Sequence, residues 1–492
     1  MPRLPQPESL VKLCVKCVTN ASRRSANKIP AVMRNCNMTA INSKFFPNAF
    51  HQLPVALLEE IIFAFTMRRM RDRGRMPIPH PYFLHYLITP QIQHLSFSIY
   101  YGGYLGLFPK LENLLTLDLG KTGVKDDSLK SIGIYCSQLR SLNLKGCTDV
   151  TDDGIRWLCG VDFPGMGKSR LCKTIQKLSI LHTSVTKKGI QVALKNFLFL
   201  NILENYYIVD ALAELAQSAI DSKQPGFYNN TFSISTLYTS PDTPLRSNSL
   251  PLALPLCHLV NQVSICVTKE LKDSDLLCLL SIKMLRKLEI GGSSFCLPGE
   301  TAITFDGGVA PLLKAFGRSL ETLMLGGIKL VCLSSIIEFC PNLIALFISG
   351  ASGSFKDEDL FQVEKKPPIL KELQVLTCYF QVPADSLLVL LSSPSLKKIS
   401  IGLCDSLTDE VLLEAFKSHR FKHLQKLELF HCDSVTLRCI RALLLNGCDS
   451  LEVMSLHQCK CLGINTFEDL HSLISKKNWN LYITCQLFFQ RI

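Results

Sequence analysis

The sequence predicts an α/β fold: a right-handed solenoid of short strand–helix repeats, preceded by a small helical module. Three observations predict it. The apolar pattern L-x-x-L-x-L recurs along most of the chain, a helical stretch follows many of its copies, and the first 80 residues follow a different pattern. With 492 residues and 47% apolar content there is ample material for a large core.

The formal charge of +12 is unevenly placed: Met1 to His80 holds 13 Lys and Arg against four Asp and Glu, a local +9, leaving +3 for the rest. A near-neutral bulk removes the main reason to expect a nucleic-acid partner. The 21 cysteines would suit a disulfide scaffold only in a short secreted chain. The opening MPRLPQPESLVKLCVKCV has no long apolar h-region, and no apolar run is long enough to span a bilayer. The expectation is a cytoplasmic or nuclear protein with reduced thiols and no membrane contact.

The repeat is the primary signal. Its middle apolar residue falls at Leu117, Leu142, Leu178, Leu288, Leu323, Leu346, Leu373, Ile399, Leu427 and Met454, with weaker copies at Leu95, Leu200 and Val263. The last five steps run 23, 27, 26, 28 and 27 residues. Five residues after the middle position stand Cys147, Cys378, Cys404, Cys432 and Cys459, and Asn205 in a weaker copy. A small polar or thiol side chain there turns inward and meets backbone groups while buried. Helical stretches follow, such as Thr408 to His419, with Thr408 as N-cap and Val411, Leu412, Ala415 and Phe416 as its apolar face. Leu129, Ile132 and Cys136 form a similar face. A strand plus a helix in about 26 residues is the cysteine-containing class of leucine-rich repeat. Roughly 12–14 such repeats over residues 90–485 would stack into a horseshoe with its strands on the concave face. Two stretches interrupt the period, at 160–174 and at about 221–248; the second, polar, reads as a flexible loop.

Few residues suggest chemistry. Gly165–Ser169 reads GMGKS, but a phosphate loop needs a glycine at 162, which is Asp162. Cys14 and Cys17 form a lone C-x-x-C without a second pair, so no metal is expected. The histidines form no catalytic set, and neither an enzyme activity nor a cofactor is indicated. The basic run Arg68 to Arg75 reads as a solvated helix end or a nuclear-import signal.

Residues 1–80 place Leu10, Leu13, Cys14, Cys17 and Val18 on one helical stripe opposite Lys12 and Lys16. A second helix follows Pro54, which its first turn tolerates, with Leu57, Leu58, Ile61, Ile62 and Phe65 as its apolar face. Two such helices also serve to cap the open end of a solenoid.

Ser9, Leu10, Cys14 and Val18 match the elongin-binding box S-L-x-x-x-C-x-x-x-V, and Leu53, Pro54, Leu57 and Ile61 match the cullin-2 box. Together they resemble the VHL box of cullin-2 ubiquitin-ligase receptors, and the layout is similar to the Zyg-eleven and Zer-one group. The gap between the boxes is longer than in compact VHL boxes, and no armadillo array follows the repeats. Segments LKGCTDVTDDGI and IGLCDSLTDEVL also resemble repeats of F-box leucine-rich receptors. The resemblance implies that Ser9, Leu10, Leu13, Cys14 and Val18 contact elongin C, with elongin B bound to it. It further implies that Leu53, Pro54, Leu57 and Ile61 select cullin-2 with its RING subunit. Residues 1–80 would then dock the adaptor while 90–485 bind an unknown protein substrate. The segment LPVALLEEIIFAF also resembles an F-box opening, which would imply cullin-1 instead; a non-ligase scaffold is the third reading.

Within L-x-x-L-x-L the residues between the apolar ones point away from the core. In the most regular repeats these are Glu372, Gln374, Lys398, Ser400, Lys426, Glu428, Phe430, Val453, Ser455 and His457. They are the expected substrate-binding surface, with Phe430 as its aromatic anchor.

Overall fold

The computed structural model describes residues 53–67, 87–97, 102–161, 169–222, 231–239, 245, 248–268, 271–291, 302–328, 330–350, 370–446, 448, 450–460, 462, 464–477 and 479–486. The chain forms two compact units. One runs to Tyr238 and includes Pro255–Leu259; the other comprises Thr239–Leu254 and the chain from Val260 onward.

In the first unit, helix α1 (Val55–Met67) packs on strand β1 (His94–Ser96). Parallel strands β2 (Thr116–Asp118), β3 (Ser141–Asn143), β4 (Lys177–Ser179) and β5 (Ile202–Glu204) follow in sequence order. Leu95, Leu117, Leu142, Leu178 and Leu203 lie in register and are buried. Each strand returns through a helix: α2 (Asp126–Tyr135), α3 (Asp152–Cys159), α4 (Lys187–Asn196) and α5 (Ile208–Asp221), successive helices packing on one another. Strand β6 (Thr236–Tyr238) follows α5.

The second unit repeats the scheme with β7 (Gln262–Ile265), β8 (Lys287–Ile290), β9 (Thr322–Gly326), β10 (Ala345–Ser349) and β11 (Val375–Tyr379). Strands β12 (Lys398–Gly402), β13 (Lys426–Phe430), β14 (Val453–His457) and β15 (Tyr482–Gln486) complete it. This is a leucine-rich-repeat solenoid, as the period predicts. One face of each sheet buries its apolar residues beneath the helices, and the other face is open.

Carboxylates join consecutive repeats. An Asp in the first turn of one helix accepts both the backbone N–H and the hydroxyl of the threonine that starts the next. Asp126 takes Thr151 at 2.9 and 2.7 Å, and Asp409 takes Thr436 at 2.8 and 2.5 Å. Asp152–Thr186 and Asp273–Thr304 repeat the arrangement. Where the next helix comes closest the chain has glycine: a Cβ on Gly154 would meet Asp126 Oδ1 at 2.2 Å. Threonines in turn cap helices, as expected for Thr408, which accepts from Val411 N at 3.4 Å.

The structure corrects the register of two repeats. Leu346 pairs with Leu376, not Leu373, and Leu376 pairs with Ile399, so these steps are 30 and 23 residues rather than 27 and 26. Likewise the strand residue opposite Leu178 is Leu203, not Leu200. In both repeats the turn before the strand also carries an apolar residue, Leu370 or Phe197, three positions earlier. Each stretch therefore offers two overlapping frames, and pairing with the neighbouring strand selects between them. The segment 221–248, expected as a loop, contains β6, with Ile234 and Leu237 buried. Its Ser- and Thr-rich composition hides a strand that Thr and Tyr favour.

Candidate recognition surfaces

The cysteine positions settle what the thiols do. Cys147 donates to Leu119 O at 3.0 Å, Cys432 to Ile401 O at 3.4 Å, and Cys404 and Cys459 likewise reach backbone carbonyls, all from buried sites. Cys378 and Asn205 stand elsewhere than expected. Cys378 occupies the second inward position of β11, level with Ile401, and Asn205 donates to Ile180 O at 3.2 Å just after β5. Burial pushes the Cys136 and Cys432 thiols up to about 12 and raises Cys147. Such thiols are packing groups, not nucleophiles. Among the described residues no cluster of His, Cys, Asp and Glu could hold a metal, and no helix is long and apolar enough to cross a membrane.

The open face of the second unit holds most of the predicted surface. Lys398, Lys426 and Glu428 form one charged cluster, with Lys426 Nζ 2.7 Å and Lys398 Nζ 3.6 Å from the Glu428 carboxylate. Burial pushes the Glu428 carboxyl up, but the Lys426 hydrogen bond and the charges of both lysines outweigh it and hold it below the ordinary range. Phe430 is 36% exposed and meets the His431 ring edge-on at 4.5 Å between centroids. Gln374, Val453 and His457 are half-buried on or beside their strands. Three predicted positions need correction. Ser400 and Ser455 are buried, Ser400 sharing a hydroxyl hydrogen bond with Tyr379 at 2.7 Å and Ser455 accepting from Thr484 at 2.9 Å. Glu372 is exposed in the turn before β11, because the register is displaced by three. The displaced register also conceals Tyr379, 39% exposed, whose ring lies across Gly402 so closely that a Cβ there would meet Cδ1 at 2.6 Å. Tyr379, Gly402, Phe430 and His457 lie level on adjacent strands, giving an aromatic row.

The first unit has its own groove, of about 670 Å³. Its floor is two rows of outward residues in register. Thr116, Ser141 and Lys177 form one; Ser96, Asp118, Asn143, Ser179 and Glu204 form the other. Helix α1 supplies a wall through Ala56, Glu59, Glu60 and Phe63. Asp118 Oδ1 accepts from Asn143 Nδ2 at 2.9 Å and Gly120 N at 2.8 Å; His94 Nδ1 lies 2.8 Å from Thr116 Oγ1. Lys177 meets Glu204 at 2.7 Å. Burial pushes Glu204 up, and the Lys177 hydrogen bond, the neighbouring Ser179 hydroxyl and the charges of Lys177 and Lys145 bring it below its usual value. The alternation rule points to these residues too when applied to the copies at Leu117, Leu142 and Leu178.

Helix α1 carries the second box. Its first turn follows Pro54, whose carbonyl accepts from Leu57 N and Leu58 N at 2.9 and 3.1 Å. Leu58, Ile61 and Ile62 are buried, and Glu59 Oε1 accepts from Gln93 N and His94 N at 2.9 and 2.7 Å. The carboxylate thus satisfies two amides at the start of β1, the last strand of its sheet among the described residues, so α1 caps that edge. Leu53 and Leu57 are half-buried, Pro54 is exposed, and Ile61, fully buried, offers no surface to a partner. Ser9, Leu10, Leu13, Cys14, Val18 and the Arg68–Arg75 run lie outside the described residues.

No family model matches the chain. Among solved structures it is similar to the yeast Rad7 and Elc1 complex, at 15% identity and a TM-score of 0.43, over 99% of this chain and 96% of that one. It is also similar to an internalin from Listeria monocytogenes, at 15% identity and a TM-score of 0.38, over 75% of this chain and 90% of that one.

Proposed function

We propose that this protein is the non-catalytic substrate-recognition subunit of a cullin-2 and elongin B/C ubiquitin ligase. It binds target proteins on the open faces of its repeats, in the cytosol or nucleus. One observation carries the reading: Ser9, Leu10, Cys14 and Val18, then Leu53, Pro54, Leu57 and Ile61, match two docking boxes in order, ahead of a leucine-rich-repeat solenoid. Such a receptor needs no chemistry of its own; it raises the local concentration of a target near a charged enzyme. With Ile61 facing the core, the cullin would meet Pro54 and the exposed side of α1.

The test is co-purification of the full chain with elongin C. Leu10→Ala with Cys14→Ala should reduce recovery at least tenfold, because a few anchors carry most of a small interface. Undiminished recovery would sink the proposal, and recovery of the F-box adaptor in place of elongin would move the protein to cullin-1. A second reading is favoured by the Glu59 hydrogen bonds and the buried Ile61: α1 is purely a cap, and the protein is a scaffold without a ligase. It expects no adaptor at all.

A further inference from the structure

We propose that the groove of the first unit binds an extended, cationic segment of a partner protein, laid along the floor rows against α1. The site is separate from the Tyr379–Phe430 face and does not rest on the adaptor reading. Its volume, about 670 Å³, falls within the range of ligand sites, roughly 300–1,000 Å³.

Charge selects the occupant. The lining has four carboxylates (Glu59, Glu60, Asp118 and Glu204) against a single lysine, Lys177, in a chain whose overall charge is +12. Lys177 and Glu204 neutralise each other, which leaves Glu59, Glu60 and Asp118 as the net negative charge of the lining. Glu60 is exposed on the wall, and Asp118 uses one oxygen, Oδ1, for the hydrogen bonds described above. Phe63 stands one turn beyond Glu60, 48% exposed, and adds apolar surface to the wall beside the carboxylate.

The floor is shaped for a peptide. Between the acidic ends stand Ser, Thr and Asn, short enough to let a backbone approach and able to donate or accept. Ser179 is 1% exposed and lines the groove beside Glu204, whose carboxylate its hydroxyl helps to stabilise.

The experiment is fluorescence anisotropy with a fluorescein-labelled octapeptide of alternating Arg and Ser, titrated with the full-length protein; an octapeptide of alternating Glu and Ser is the control. The Arg peptide should bind, more weakly as salt rises, and the Glu peptide should not. Glu60→Gln with Asp118→Asn should weaken binding at least tenfold. The Asn side chain still accepts from Gly120 and Asn143, so the thermal melt should stay close to wild type. Glu338→Gln with Glu410→Gln, the same charge change on helices of the second unit, should leave binding unchanged. Absence of binding, equal loss in both double variants, or equal affinity in wild type and Glu60→Gln/Asp118→Asn would overturn the proposal. Tighter binding on replacing Arg68, Arg69 and Arg71 by Ser would also overturn it, because the chain's own basic run would then be the occupant.

Discussion

The two units use one repeat to make two different open faces, and in β2 and β3 one outward position accounts for part of the difference. In β2 and β3 the residue after the central leucine is Asp118 or Asn143, and each side chain accepts from a backbone amide two residues on: Gly120 N at 2.8 Å and Lys145 N at 3.0 Å. That turn competes with the ladder, and these strands end after three residues. From β9 onward the same position holds Met324, Phe347, Thr377, Ser400, Glu428 or Ser455, and the strands run to five residues. The longer strands add the outward row of Tyr379, Gly402, Phe430 and His457. That bond accounts for the ends of β2 and β3; β4 is equally short although Ser179 makes no bond to its own backbone, so strand length in the first unit has a further cause.

What the units share should respond alike to mutation. The Asp–Thr clamp is the same in both, so Asp126→Ala and Asp409→Ala should each cost about 2–3 kcal/mol, the worth of charged hydrogen bonds with a backbone N–H left unmatched. Hydrogen exchange reads this as faster exchange at Thr151 or Thr436 and the turns that follow. A large loss at one site and none at the other would show that the repeats of the two units are held by different forces.

A smaller effect concerns the lysine-paired glutamates, Glu204 in one unit and Glu428 in the other. Both carboxyls sit below their ordinary value in the fold. The stability they contribute is full above the unfolded value, about 4.3, and is lost as the pH falls through the lower folded value. Glu428→Gln should flatten the stability curve in that acidic window while costing about 1 kcal/mol or less near neutrality. An unchanged acid limb in chemical denaturation would mean that the Lys426 and Lys398 pairing contributes nothing.

The smallest expected change is a gain. The residue before each inward cysteine is left-handed: Gly146 at φ 76°, but Leu403, His431 and Gln458 at φ 51–56°. Leu403 is 51% exposed there, so Leu403→Asn should raise stability by roughly 0.5–1 kcal/mol, since Asn tolerates that backbone far better. A lowered melting temperature would show that Leu403 packs usefully despite its exposure.

Much of the molecule was legible before folding was considered. The leucines of Leu117, Leu142, Leu178 and the copies from Ile399 to Met454 mark their strands correctly, because burial beneath helices imposes the same local pattern each time. Cys147, Cys404, Cys432 and Cys459 are the inward, carbonyl-bonded thiols their spacing implies. Lys398, Lys426, Glu428 and Phe430 lie on the open face as alternation requires. The elongin box, by contrast, is readable only as a resemblance.

What period and alternation determine is the kind of repeat and which side chains turn inward, since both depend on residues within one repeat. Tertiary structure alone decided between overlapping apolar frames at Leu373 and Leu376, because only hydrogen bonds to β10 and β12 favour one of them. It also turned Ile61 into the core and left Pro54 outside, since an amphipathic helix specifies an apolar face but not the surface that face will cover. The groove between α1 and the first floor has the same origin. Glu59 must reach the amides of Gln93 and His94 before Glu60 and Phe63 can line the groove with Asp118, and no local pattern contains that distance.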